Sequence, residues 1–242
     1  MRPFLLLATR DHDEAAQGEY ASVLRHAGLR PDELEHIRVE TAPLGELDLG
    51  AYSGVMLGGS AYNVSDDDKS PLQQRIEADV ARVVDQALAE DLPFLGMCYG
   101  IGTVTARLGG VVDRTFGEPV GAATITLTDA GRADPMLAGV PDRFGAFVGH
   151  KEACNGMPGG GELLATGEAC PVQMYRVGRN VYVTQFHPEL DAVDLSARMR
   201  IYQHAGYFRP EELDALIAAA HAAEVGASVH RVLENFTRRY AR

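Results

Sequence analysis

Cys98, His187 and Glu189 are the residues whose types and spacing suit nucleophilic chemistry at a carbonyl group. Cys98 sits within LPFLGMCYGIGTVTARLGG, residues 92–110. The apolar run from Leu92 to Met97 predicts a strand, the residues after Cys98 predict a helix, and Gly109-Gly110 stops it. Gly96 and Gly100 lie two residues either side of the cysteine. This is the layout of a nucleophile elbow, in which small neighbours allow a tight strand-to-helix turn and leave the nucleophile exposed above a sheet. Unpaired N–H groups at a helix start favour negative charge on sulfur. A buried core cysteine is the competing reading, and cysteine is among the most buried residue types. The choice rests on partners 89 positions downstream.

Those partners are His187-Pro188-Glu189, which follow the apolar run Val181–Phe186. Pro188 restricts His187 to extended backbone. In extended chain, residues i and i+2 point the same way, so Glu189 can reach back to the imidazole. A carboxylate on one ring nitrogen fixes the tautomer and leaves the other nitrogen free to move a proton. Cysteine, base and orienting carboxylate are the parts of a catalytic triad. Such chemistry also needs donors for an oxyanion. Gly58-Gly59, after the short apolar run Ser53–Leu57, predicts a tight turn whose N–H groups no side chain covers. The N–H of Tyr99, the residue after the cysteine, is the donor that elbow geometry supplies.

The elements that hold these residues alternate strand and helix through the first half of the chain. Pro3–Ala8, Leu34–Glu40, Ser53–Leu57 and Leu92–Met97 are the expected strands; Asp13–Ala27 and Pro71–Glu90 are the expected helices. Leu72, Ile76, Val80, Val83, Val84 and Ala87 follow helical spacing. That alternation predicts a mostly parallel sheet covered on both faces. Its carboxyl edge is where open α/β folds keep their sites, and the cysteine and histidine both follow buried strands there. After Gly110 the pattern changes to short strands, at Val111–Val112, Ala122–Thr128, Arg143–Val148, Leu163–Thr166, Val172–Arg176 and Val181–Phe186. No helix is expected between them, so they predict an antiparallel extension. The last third, 191–242, reads as helical, with helices over Asp191–Ala205, Glu211–Ala223 and Ser228–Arg242. The expected fold is a flavodoxin-like open α/β sheet in a single domain, 1–242, with a helical C-terminal segment.

Composition narrows the function classes. The 242 residues carry a net charge of −12, which argues against a nucleic-acid binder and against docking on anionic lipid. A hydrophobic fraction of 46% and a charged fraction of 23% suit a globular protein. Three cysteines form no CxxC pair or disulfide framework, which fits a reducing compartment. The N-terminal apolar run is too short for a signal peptide, no run approaches the roughly 18 apolar residues of a membrane span, and a cytoplasmic location is expected. The histidines make no HExxH pattern, and Asp66-Asp67-Asp68 lacks the rest of a calcium loop, so no metal or other cofactor is expected.

Three stretches in the correct order resemble the class I glutamine amidotransferases: PFLGMCYGIG with the nucleophile motif, VTQFHPEL with the His-Pro-Glu motif, and MLGGSAYNV with the glycine-rich oxyanion strand. The likeness spans roughly residues 1–190 and is nearest to the glutaminase part of GMP synthetase and its stand-alone homologues. It implies that Cys98 attacks the side-chain amide of glutamine, that His187 protonates the departing ammonia and then activates water, and that Glu189 orients His187. It also implies oxyanion donors at Gly59 and Tyr99, and substrate contacts at Gly58 and at His150 in the segment Gly149-His150-Lys151-Glu152. A structural hydrogen bond is the other reading of His150. Two positions depart from the family. Gly102 stands where members commonly carry a glutamine that helps hold substrate, and Lys151 stands where many have a small residue. The expected function is glutamine hydrolysis to glutamate and ammonia, with a separate ammonia-accepting synthase as partner. A γ-glutamyl peptidase using the same triad is an alternative that Gly102 favours. A non-catalytic regulatory protein on the same scaffold is a third, opposed by the intact triad.

Overall fold

The computed structural model describes residues 2–242. The first half runs β1 (Phe4–Thr9), α1 (Asp13–Ala27), β2 (Leu34–Arg38), β3 (Val55–Ser60), α2 (Pro71–Glu90), β4 (Phe94–Met97) and α3 (Tyr99–Arg107). Then come β5 (Val112–Asp113), β6 (Glu118–Leu127), α4 (Asp129–Ala133), β7 (Arg143–His150), β8 (Ala153–Cys154), β9 (Gly161–Gly167), β10 (Met174–Val177) and β11 (Val181–Thr184). Helices α5 (Ala192–Ile201), α6 (Leu213–Ala222) and α7 (Arg231–Tyr240) close the chain.

Nine strands form one sheet in the order β2-β1-β3-β4-β11-β10-β9-β6-β7. The first five are parallel and the remaining pairings antiparallel. This is the flavodoxin-like open sheet with an antiparallel extension. Side chains alternate across a strand, so β1 divides between two cores. Phe4 and Leu6 pack with Met56, Leu95 and Val23 of α1, while Leu5 and Leu7 pack with Leu57, Val80 of α2 and Val104 of α3. Burial on both faces explains why these strands read as continuous apolar runs.

Helix boundaries follow local chemistry. Helix α1 ends at Gly28, whose φ of 66° is left-handed, and α2 starts at Ser70, whose hydroxyl accepts from the Gln73 N–H with Pro71 next. Two expectations need correcting. Gly58-Gly59 is no turn: β3 continues through both to Ser60, which pairs with Thr9 of β1 after a shift in register. A helix also interrupts the strand-rich stretch: α4 is five residues long, too short for periodicity to show, and is capped by the Thr128 hydroxyl on the Gly131 N–H.

Candidate active site

The sheet order places the two predicted site segments side by side. Strands β4 and β11 are parallel neighbours with Met97 opposite Thr184, and the Cys98 N–H donates to the Thr184 carbonyl at 2.7 Å. Each chain leaves the sheet at the same edge, so 89 residues of separation collapse into one site. Cys98 holds φ 55° and ψ −87°, one of two non-glycine residues with positive φ among the described residues. Such conformations cost of order 1–3 kcal/mol and persist where the surroundings enforce them. Gly96 permits the elbow sterically: a Cβ there would lie 2.9 Å from the Gly100 Cα, so β4 and the first turn of α3 touch backbone to backbone. Gly100 has no such duty, since its own Cβ would meet Leu57 at an ordinary 3.7 Å.

His187 is fixed at both ends. Its N–H donates to the Phe147 carbonyl at 3.0 Å, and its Nδ1 lies 2.7 Å from Oε1 of the wholly buried Glu189. Nε2 is therefore the nitrogen left to act. Burial would push the imidazole down, but the Glu189 carboxylate and the Cys98 sulfur outweigh it and hold the ring at about 9. Burial likewise raises Glu189, but His187 and then Arg198 overcome this and hold its carboxyl well below the usual range. Asp191 caps α5 by accepting from the Val193 and Asp194 N–H groups at 2.8 Å each. Two turns later that helix brings Arg198 Nη1 to 3.1 Å from Glu189 Oε1. His230 anchors the intervening turn, its Nδ1 lying 2.7 Å from the Pro188 carbonyl.

Sequence reasoning missed the charges beneath the triad. Arg10 Nε donates to Oε1 of buried Glu19 at 3.0 Å, and Arg198 Nη2 lies 3.8 Å from the same oxygen. Burial alone would lower Arg10, yet Glu19 and its other neighbours keep its guanidinium above the ordinary value. This pair gives Gly58 and Gly59 a different role from the one expected. A Cβ on Gly58 would lie 2.2 Å from Glu19 Oε2, and one on Gly59 would lie 2.4 Å from Arg10 Nη2. Gly58 faces Glu19 rather than the clefts beside Cys98. The Gly59 N–H donates to Glu19 Oε1 at 3.2 Å, so it is not a free oxyanion donor in this arrangement. The Tyr99 N–H, at the first position of α3, has no intrahelical acceptor by helix geometry.

His150 lies in the wall of the site but both ring nitrogens are engaged: Nδ1 is 2.8 Å from the Glu152 carbonyl and Nε2 is 2.9 Å from Glu118 Oε2. That is the structural reading of this residue. Gly102 acquires a reason. The Glu152 carboxylate accepts from the Val64 and Ser65 N–H groups at 2.7 Å each, and a Cβ on Gly102 would lie 3.3 Å from its Oε1. Lys151 donates to the Ala205 carbonyl at 3.1 Å and stacks 4.4 Å from the Tyr207 ring, tying residues 205–207 over the site. Among the described residues, Glu118, His150 and Cys170 come within 4.8 Å of one another. His150 already bonds Glu118 there, and burial pushes the Cys170 thiol up to about 12, which disfavours a thiolate ligand. Asp66 spends its carboxylate on the Asn63 N–H and Arg114, as a turn residue does.

Two clefts meet at Cys98, sharing Ser60, Gly149 and Tyr207. One also borders His187 and is walled by apolar side chains of β6, β7 and α5; the other borders Tyr99, Asn63, Lys151, Glu152 and Gln185.

The model of the family "Glutamine amidotransferase class-I" matches residues 19–199. The chain belongs to that family. Among curated proteins it is 28% identical over 169 residues to a glutamine-hydrolysing GMP synthase of Lactobacillus delbrueckii subsp. bulgaricus, covering 69% of this chain and 29% of that protein. It is 33% identical over 100 residues to the GMP synthase of Bacillus mycoides, covering 41% of this chain and 19% of that one. The chain thus spans less than a third of these relatives. Among solved structures, a glutamine amidotransferase from Thermotoga maritima superposes with a TM-score of 0.78 at 20% identity, covering 99% and 98% of the two chains. A glutamine amidotransferase from Methylobacillus flagellatus gives 0.74 at 17% identity, covering 100% and 96%. Both likenesses confirm the fold of the class I amidotransferases. The matched residues include the elbow, the His-Pro-Glu turn and Arg198, but stop at residue 199, before α6 and α7.

Proposed function

We propose that this class I amidotransferase hydrolyses a γ-glutamyl amide through a thioester on Cys98, glutamine being the simplest such substrate. The observation that carries this reading is a cysteine on a strained elbow, beside an imidazole whose Nδ1 is held by a buried carboxylate at 2.7 Å. The sulfur attacks the amide carbon and the carbonyl electrons move to oxygen. The Tyr99 N–H receives that oxyanion; the Gly59 N–H becomes a second donor once its bond to Glu19 is exchanged for the substrate oxygen. The C–N bond then breaks as His187 gives its proton to the departing nitrogen. Water, deprotonated by the same imidazole, attacks the thioester, and the S–C bond breaks to release glutamate. Glu189 orients the ring throughout and Arg198 holds Glu189.

With glutamine the leaving group is ammonia, and the kinship with glutamine-hydrolysing GMP synthases supports a synthase partner, on a separate subunit, that consumes it. The cytoplasm, where such a partner would work, is the proposed location, and one domain over the whole chain is the proposed organisation. Among the described residues no helix is long and apolar enough to cross a membrane. The test is release of glutamate and ammonia from purified protein given glutamine. Cys98→Ser should abolish it without unfolding the chain, and undiminished turnover in that variant would remove the proposed nucleophile. The γ-glutamyl peptidase alternative gains one specific support, the apolar cleft beside His187.

A further inference from the structure

Gln185 is a buried polar side chain that the reaction above leaves without a task. It is 1% exposed, yet it borders the cleft at Cys98 that Tyr99 also lines. Its backbone is fixed. The Gln185 N–H donates to the Gln173 carbonyl at 2.8 Å, and the carbonyl of the preceding Thr184 accepts from the Cys98 N–H at 2.7 Å. The side chain is held by little. Its Nε2 lies 4.0 Å from the Cys98 sulfur, the outer limit for a bond to so large an acceptor. Among the described residues the amide makes no other hydrogen bond, and Oε1 has no partner. Gln173 shows the contrast, with its Nε2 donating to Glu118 Oε2 at 2.6 Å.

Buried polar groups are normally paired, and a buried amide with an orphaned oxygen destabilises a fold. A methionine of similar reach would fill the same space without that penalty. The amide therefore serves something other than stability, and its orientation says what. An N–H aimed at the sulfur stabilises negative charge there, whereas a carbonyl oxygen turned to it would repel that charge. The surrounding elements agree. Val183 packs in the core beneath α3 and Phe186 in the opposite core, so β11 leaves the sheet with Gln185 on the α3 side. Tyr99, the first residue of α3, borders the same cleft. An oxygen on the carbon that bonds to the sulfur lies one bond farther out, within reach of a donor that approaches the sulfur itself.

We infer that the Gln185 side-chain amide is a catalytic hydrogen-bond donor at Cys98: it faces the thiolate in the free enzyme and closes on the oxyanion as the sulfur attacks. This rests on the thioester reaction proposed above and adds a donor to it. The Gly59 N–H must give up Glu19 before it can serve the oxyanion, whereas Gln185 has only its long contact with the sulfur to exchange. A contact that is long in the resting enzyme and shortens as charge moves to oxygen stabilises the transition state more than the ground state, which is the condition for raising kcat. Side-chain amides fill this role in other acyl-transfer sites.

The test uses the full chain with glutamine and with γ-glutamyl-p-nitroanilide as substrates. Gln185→Met removes the N–H and keeps the length. Gln185→Glu keeps the shape, sets an acceptor against the sulfur, and covers the case in which methionine disturbs the fold. Loss of one oxyanion donor lowers kcat by about 10²- to 10³-fold, so both variants should fall by that factor with KM within about threefold of wild type. The urea midpoint of Gln185→Met should equal or exceed that of wild type, which a structural role does not predict. Alkylation of Cys98 by iodoacetamide should shift to higher pH in both variants, and further in Gln185→Glu. A kcat within about threefold of wild type, a loss confined to KM, or a loss that tracks a lowered urea midpoint in both variants would overturn the inference while leaving the thioester reaction in place. If wild type turns over neither substrate, the thioester reaction fails instead, and alkylation still decides the contact: a raised pH profile supports it and an unchanged one overturns it.

Discussion

Replacing Glu189 by glutamine is the sharpest perturbation of the triad, because it keeps the volume and removes one buried charge. His187 titrates at about 9 against an ordinary 6.5, a net preference for imidazolium of about 3 kcal/mol at 1.36 kcal/mol per unit. Burial works against that preference, and the Glu189 carboxylate is the first of the groups that overcome it, ahead of Cys98. Without the carboxylate, burial regains weight and the ring titrates well below 9. The loss of about 3 kcal/mol bounds the electrostatic penalty at roughly 10²-fold in rate. A glutamine amide can also donate to Nδ1 and force the wrong tautomer, which in a comparable triad raises the loss to about 10⁴-fold. Glu189→Gln should therefore lower kcat/KM by between about 10² and 10⁴, and the high-pH decline near 9 should move to lower pH. The linked stability has a definite sign. Raised His187 contributes stability below 6.5 and loses it as pH rises through 9; lowered Glu189 contributes above 4.5 and loses it as pH falls. The stability gap between wild type and variant, from urea melts across pH, should be widest between 4.5 and 6.5. Wild-type kcat/KM within about threefold, with the decline still near 9, would refute the assignment of Glu189 as the group that holds His187.

Other perturbations test the frame around the triad. In wild type, single-turnover acylation should fall as pH passes about 9, where His187 loses the proton it must give to the leaving nitrogen; a flat rate to pH 10 would contradict that role. Cys98→Gly should be inactive yet more stable than Cys98→Ala by about 1 kcal/mol in urea denaturation, because glycine accepts φ 55°, ψ −87° without strain. Gly96→Ala should destabilise by about 2 kcal/mol through the 2.9 Å approach to the Gly100 Cα, whereas Gly100→Ala should be tolerated; matched thermal melts of the two read this directly. Glu19→Gln leaves Arg10 buried without its carboxylate and should cost about 3–5 kcal/mol, measured by the same melts.

The legible part of the site was the part written in short sequence motifs. A strand, a cysteine between glycines and a helix are contiguous, and so are a strand and His-Pro-Glu. The sequence also placed both at the carboxyl edge of a parallel sheet. It did not show that β4 and β11 are neighbours, since β11 follows six strands of antiparallel and two-stranded pairing. The chain direction of β11 matters here. It pairs parallel with β4 on one side and antiparallel with β10 on the other, so its carboxyl end, and His187, emerge on the same edge as Cys98.

Arg10, Glu19 and Arg198 were illegible for a different reason. Each comes from a separate element, at the end of β1, on α1 and on α5, and nothing in local pattern separates a charge aimed inward from one aimed at solvent. The one sequence trace they leave is indirect: Gly58-Gly59 in the middle of a buried strand, where glycine lacks any packing benefit. A glycine pair inside a strand signals that something else approaches the backbone closely. Here that something is a buried ion pair, and the same pair accepts the N–H that an oxyanion would need. The charges that brace Glu189 and the donor that would serve the thioester are thereby one connected system. A change at Glu19 should accordingly reach both the stability of the fold and the acylation step.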